Sequence, residues 1–239
     1  MEITKDNIVG EVVANNYKTA AIFKANKIDF CCNGNKSIAS ACEKANKNTD
    51  EVLLTLNQII NSTDNNANID FNAWDMDLLV DYIVKKHHRY VEQKIEEIIP
   101  YLKKVSSVHG NHHPELYEIY DLFIASAQDL TAHMKKEELI LFPYINKLAK
   151  QQLNEQAPFG SVENPIHMME HEHNIEGERF RKIAELSSNY TAPNDACNTY
   201  RVTYALLKEF EDDLHMHIHL ENNILFPRAI NAEKRLQNV

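Results

Sequence analysis

Glycine and proline are scarce in this chain, 5 and 7 among 239 residues. Few turns are therefore obligatory, which weighs against a sandwich or barrel of many short strands and favours long helices. Cysteine is also sparse. Cys31, Cys32, Cys42 and Cys197 do not suggest a disulfide framework and are read as reduced thiols. No apolar run approaches the roughly 20 residues that span a bilayer. The start, MEITKDNIVGEVV, has neither the basic nor the long apolar region of a signal peptide. Basic residues fall short of acidic ones, 25 against 35, for a formal charge of −10. A surface of that sign repels phosphate backbones and anionic lipid, so neither nucleic acid nor a membrane is expected as a partner. What remains is a soluble, cytoplasmic, all-α protein. Histidine is missing from the first 86 residues, yet 12 follow.

Residues 1–60 read as a small helical module. Val12, Val13, Ala20, Ile22 and Phe23 recur at helical spacing, as do Val52, Leu53, Leu56, Ile59 and Ile60. Between them lies the loop IDFCCNGNKS, with turn chemistry at Asn33-Gly34-Asn35 and Ser37 placed to cap the next helix. The polar, aperiodic stretch NSTDNNANID begins a linker, taken as 61–72. Four main helices are expected in 73–239: from about Asp75 to Tyr101, Pro114 to Lys150, Pro165 to Ser188 and Asp195 to Ala232, with loops at 104–114 and 156–164. Two long helices, a loop and two more make an antiparallel four-helix bundle.

The second and fourth of these helices carry one motif twice. Asp129-Leu130-x-x-His133-x-x-x-Glu137-x-x-Ile140-Leu141-Phe142-Pro143 is repeated as Asp213-Leu214-x-x-His217-x-x-x-Glu221-x-x-Ile224-Leu225-Phe226-Pro227. A His and a Glu four residues apart lie one above the other on a helix, with Cβ atoms about 5–6 Å apart, and can aim at one point. Phe210, Leu214, Ile224 and Leu225 flank His217 and Glu221 at helical spacing, which puts the pair on the buried face. A buried carboxylate beside an imidazole, twice over, calls for a cation. A single such pair would more simply be a core or surface ion pair, and His88 with Glu92 is read so.

The other two helices should complete the site. In the third, His173 shares an apolar stripe with Ile166, Met169, Phe180 and Ala184, whereas His167 and His171 fall on a polar face. Polar neighbours likewise assign His215 and His219 to solvent. In the first helix His87 follows Leu79 and Ile83 while His88 follows Val80 and Val84, so both remain candidates. His109, His112 and His113 are placed on a surface loop. Imidazole with carboxylate and no thiolate suits iron or manganese and argues against a structural zinc site. Glu170 and His173 form one Glu-x-x-His pair, but the ferritin-like di-iron site needs two. Asp129 and Asp213, one turn before each repeated His, either accept the second ring N–H of a liganding histidine or are solvated carboxylates. Cys42 and Cys197 are read as packing residues.

One His, then His-x-x-x-Glu, one His, then His-x-x-x-Glu resembles the haemerythrin-like di-iron bundle. Together with the vicinal cysteines of Ile28-Asp29-Phe30-Cys31-Cys32-Asn33-Gly34 and the closing His217-x-x-x-Glu221-Asn222-Asn223-Ile224-Leu225-Phe226-Pro227, the whole chain is similar to the Repair of Iron Centres family. The resemblance implies a haemerythrin-like antiparallel four-helix bundle with a small helical amino-terminal domain. It implies two non-haem irons, carboxylate- and oxo-bridged, held by His87, His133, Glu137, His173, His217 and Glu221, and it is the resemblance that selects His87 over His88. It points to Glu172 as a proton or channel residue. Six protein ligands leave open positions at each iron, and the fifth histidine of oxygen-carrying haemerythrins is lacking. The function implied is repair of iron–sulfur clusters damaged by nitrosative or oxidative stress, by donating iron or clearing nitric oxide. A sensor or carrier of nitric oxide or oxygen and a nitric oxide reductase are the alternatives. Damaged iron–sulfur proteins are the implied partners, and a homodimer is allowed for. Where the family commonly has Gly-Gly after the cysteine pair, this chain has Asn33-Gly34. Cys31 and Cys32, candidate reactive residues, stand at a turn before a helix N-terminus, a setting that lowers a thiol pKa.

Overall fold

The computed structural model describes residues 2–61, 69–152 and 157–237. Regular structure among them is helical, with isolated bridges but no extended strand, as an all-α chain requires. In chain order the helices are α1 (Val9–Asn15), α2 (Ala20–Ala25), α3 (Ile38–Lys44), α4 (Thr49–Asn61), α5 (Met76–Tyr82), α6 (Arg89–His109), α7 (Glu115–Lys136), α8 (Phe142–Ala149), α9 (Glu163–Leu186), α10 (Asn198–Leu220) and α11 (Phe226–Gln237). Most of the linker expected at 61–72 and the beginning of the loop expected at 156–164 lie outside the described residues. No helix among the described residues is long and apolar enough to cross a membrane.

The chain forms two compact units, Met1–Leu79 with Ile218–Val239, and Val80–His217. In the first, Val9, Val13, Phe23, Ile38, Cys42 and Leu56 are buried with Phe226 and Ala229 of α11. α1 stops at Asn16, whose backbone is extended and whose side chain accepts the Lys18 N–H to start the next turn. Ser37 caps α3 by accepting the Ser40 N–H, as its position suggested.

The second unit is a four-helix bundle. Phe123 of α7, Phe180 of α9 and Phe210 of α10 meet in its core, with ring centroids 5.3–6.5 Å apart, and Tyr90 of α6 lies 6.5 Å from Phe210. Aromatic pairs at this spacing add about 0.5–1.5 kcal/mol each to the burial of their area. α6 runs on to His109 instead of ending near Tyr101, because Leu102 and Val105 extend the buried stripe of Val91 and Ile98 past Pro100.

Three helical stretches open into π-turns: Ile83–His88, Glu137–Leu141 and Glu221–Leu225. The Phe142 N–H reaches back five residues to the Glu137 carbonyl, and the Phe226 N–H does the same to Glu221. Pro143 and Pro227 come next and offer no N–H, so a regular α ladder cannot pass through them. A π-turn absorbs the misfit, and such turns gather at functional sites.

Candidate metal centre

Glu137 is the centre of the bundle's polar core. It is completely buried, opens the second π-turn, and has an imidazole nitrogen on either side: His88 Nε2 at 3.4 Å and His133 Nε2 at 3.3 Å from its Oε2. His173 Nε2 lies 3.0 Å from His133 Nε2. The His217 ring stands 4.9 Å from that of His88 and 6.5 Å from that of His173. Two sets of ligand atoms result, each within 4.8 Å of one another: His88, Glu137 and His217, and His133, Glu137 and His173. Glu137 belongs to both.

The outward nitrogens explain what these imidazoles can do. His88 Nδ1 donates to Glu138 Oε1 at 2.9 Å and His133 Nδ1 to Glu172 Oε2 at 2.8 Å. A carboxylate on Nδ1 keeps the proton there and turns the Nε2 lone pair toward the Glu137 carboxylate. Imidazole nitrogens gathered round a fully buried carboxylate suit a cation between them. The donor set therefore fits metal, and nitrogen with oxygen donors suits iron. Glu172 also pairs with Lys136. The His133 ring N–H, then Lys136, hold its carboxyl down at about 2 against partial burial.

His88 stands where His87 was expected. His87 is buried, but its Nδ1 bonds Asp213 at 3.0 Å, its ring stacks on His217 at 5.7 Å, and its Nε2 has no hydrogen-bond partner among the described residues. The π-turn ending at His88 inserts an extra residue and shifts which neighbour faces inward, a shift that α periodicity does not register. Nor does His88 pair with Glu92, which binds Arg89 at 2.7 Å. Asp213 does hold a histidine, though His87 instead of His217. Asp129 holds none and pairs with Arg179 at 2.7 Å. Glu138, next to Glu137 and 50 residues from the His88 it holds, falls outside the one-turn spacing that marks Asp129 and Asp213 in the sequence.

Glu221, in the other unit, is fully buried and opens its π-turn as Glu137 does. Close by, the solvent assignment of His219 fails. It is buried between Tyr17 and Phe30, accepts from Asn223 at 2.9 Å, and burial holds its pKa at about 3. His167 and His171 are exposed as expected, and His215 is half-buried. Cys42 is buried, but Cys197 is exposed beside His109 Nε2 at 3.2 Å.

The cysteine loop packs in the same unit. Asn222 and Asn223 donate to the Cys31 carbonyl at 3.2 and 3.4 Å, and Asn223 donates to that of Phe30 at 3.1 Å. A Cβ on Gly10 or Gly34 would strike Asn223 Oδ1, so both glycines serve this close approach. The expected low thiol pKa is not found at Cys31. The Cys32 thiol, burial and Asp29 push it well up.

A cavity of about 220 Å³ in the bundle reaches His133 and His173 and is lined also by Glu172, Lys136, Asp129 and Glu176. Glu176 is buried on Ser126, whose hydroxyl donates to it at 2.6 Å.

Residues 79–229 match the haemerythrin HHE cation-binding domain, and residues 5–60 match a domain of unknown function, DUF542. The chain is 33% identical over 231 residues to the iron-sulfur cluster repair protein ScdA of Staphylococcus epidermidis, covering 95% of this chain and 99% of that protein. It is 33% identical over 224 residues to the ScdA of Staphylococcus haemolyticus, covering 94% and 98%. To the iron-sulfur cluster repair protein YtfE of Yersinia pseudotuberculosis it is 32% identical over 216 residues, covering 90% and 93%.

Proposed function

From the premise that this chain belongs to the family of the iron–sulfur cluster repair proteins, with a haemerythrin HHE domain, we propose that it repairs damaged iron–sulfur clusters through a two-iron centre. Its ligands are His88, His133, Glu137, His173, His217 and Glu221. The observation that carries this reading is Glu137, one buried carboxylate shared by two sets of histidines. Glu221 enters by the internal repeat: it follows His217 as Glu137 follows His133 and begins the equivalent π-turn.

When bound, the irons supply a labile, partly open centre that can give up metal or take a small ligand such as nitric oxide or oxygen. The chain's own residues do the rest. Glu138 and Glu172 keep the protons of His88 and His133 on Nδ1, so that Nε2 serves as donor. The His133 ring N–H, then Lys136, keep Glu172 ionised beside the cavity. Glu172 thus orients a ligand and faces the route to it. Asp213 holds His87 against His217, bracing that ligand from behind.

The test is reactivation of a nitrosylated cluster enzyme by the iron-loaded protein in the cytosol-like, reducing setting this reading assigns to it. Faster or fuller reactivation than an equal amount of free ferrous salt is expected. Reactivation no better than the salt would refute the proposal. Catalytic nitrous oxide formation with an electron donor would favour the reductase instead.

A further inference from the structure

A second group of metal-binding atoms lies outside the bundle's polar core, in the loop before α3. Cys31 Sγ and Cys32 Sγ are 3.7 Å apart, and Asp29 Oδ1 is 3.4 Å from Cys31 Sγ. All three side chains offer atoms within 4.8 Å of one another. The arrangement is built, not incidental. Asp29 Oδ1 accepts the N–H groups of Cys31 and Cys32 at 3.1 and 2.9 Å, and its Oδ2 accepts from Asn33 at 2.8 Å. The backbone behind the thiols is fastened by Asn222 and Asn223.

We propose that Asp29, Cys31 and Cys32 form a binding site for one thiophilic divalent cation, separate from the six-ligand centre. Two sulfurs and a carboxylate are the donor set for such an ion, softer than the imidazole and carboxylate set of the bundle. Cys31 is buried and Cys32 half-buried, so water competes poorly for the inner side while the outer side stays open for exchange. On binding, each thiol releases its proton to solvent; the two thiolates balance the divalent cation and the carboxylate leaves the occupied site with one negative charge, with no change of oxidation state. The crowding of Cys32 and Asp29 on Cys31 that disfavours a lone thiolate becomes attraction once a cation sits among the three.

The loop is held by Asn222 and Asn223, the residues directly after Glu221. A cation on the thiols is therefore fastened to the chain segment that carries Glu221. Ferrous iron as the physiological occupant rests on the repair function proposed above. The site itself does not.

Cobalt(II) separates the two questions, because thiolate ligation gives an intense near-ultraviolet charge-transfer band that imidazole and carboxylate do not. Titration of the reduced full-length chain with cobalt(II) should give that band at one equivalent, in addition to the weaker visible bands of the bundle site. Cys31→Ser/Cys32→Ser should abolish the charge-transfer band and keep the visible ones, which also reports that the chain is folded. Asp29→Asn, which keeps both thiols, should weaken cobalt binding at the band at least tenfold. No charge-transfer band in the reduced wild-type chain would overturn the proposal, as would a band that survives in the double variant. A thiol pair that only oxidises to a disulfide and takes up no cobalt when reduced would overturn it as well. None of these readings depends on whether the protein repairs clusters.

Discussion

His87 and His88 are neighbours, both buried, and they do different jobs. The bundle presents His88 Nε2 to Glu137 and turns His87 to Asp213. Replacing each in turn separates the roles. His88→Ala should remove a ligand and lower the metal content of the purified protein by about one ion per chain, read by elemental analysis. His87→Ala should leave the content intact. Glu138 acts one step further out. Glu138→Ala frees the His88 tautomer and should weaken metal binding by about 10- to 100-fold in a chelator competition. At this scale the repeat and apolar stripes name His133, Glu137, His173, His217 and Glu221 as candidates, and all five are buried. The sequence was ambiguous for the first helix, where both histidines follow apolar residues. Glu172 was indicated only by resemblance. Its carboxylate lies on α9 and the imidazole it orients on α7, a pairing of distant residues that no local pattern encodes.

Among the elements, the π-turns have the most consequence. His88 ends one, and Glu137 and Glu221 each begin one. Pro143 and Pro227 signal two of them in the sequence by breaking the ladder just downstream. The third, at Ile83–His88, has no proline to mark it, so periodicity leaves His87 and His88 both open on that helix. The four bundle helices themselves were legible because their apolar stripes are long. The break of α1 at Asn16 and the run of α6 past Pro100 were not, since each is decided by packing that a propensity scale ignores. Close approach at the cysteine loop gives an element-level test. Gly→Ala in a helix ordinarily stabilises by about 0.4–1 kcal/mol. Gly10→Ala drives a methyl into Asn223, so it should instead destabilise by about 1–3 kcal/mol, read by denaturant unfolding. Amides around 28–35 should lose exchange protection with it. Stabilisation by this substitution would show that the loop does not sit so close.

For the whole molecule, the formal charge of −10 disfavours phosphate backbones and anionic lipid as natural surfaces and is neutral about a protein client. The division into Met1–Leu79 with Ile218–Val239 and Val80–His217 could not be read from periodicity, because α10 and its π-turn form an unbroken helical stretch across Ile218. His113 is one contributor to the dependence of stability on pH. Asp195, then Glu115, raise the His113 pKa above its ordinary 6.5, against slight burial. A raised folded value means the native chain binds the proton more tightly. The contribution is fully present below about 6.5 and is lost as pH rises through the higher folded value. In Asp195→Asn the His113 proton resonance should titrate at lower pH, and the fall in stability as pH rises through the folded value should shrink. An unchanged titration would mean that the His113–Asp195 contact, 3.1 Å, does not persist in solution.

The central claim is a pair of metal ions sharing Glu137. Mössbauer spectroscopy of protein purified from iron-supplemented cells, combined with iron analysis, tests it most directly. Two irons per chain in an antiferromagnetically coupled pair are expected, with the coupling lost in Glu137→Ala and in His133→Ala. A single uncoupled iron, or a coupled pair that persists without Glu137, would contradict it.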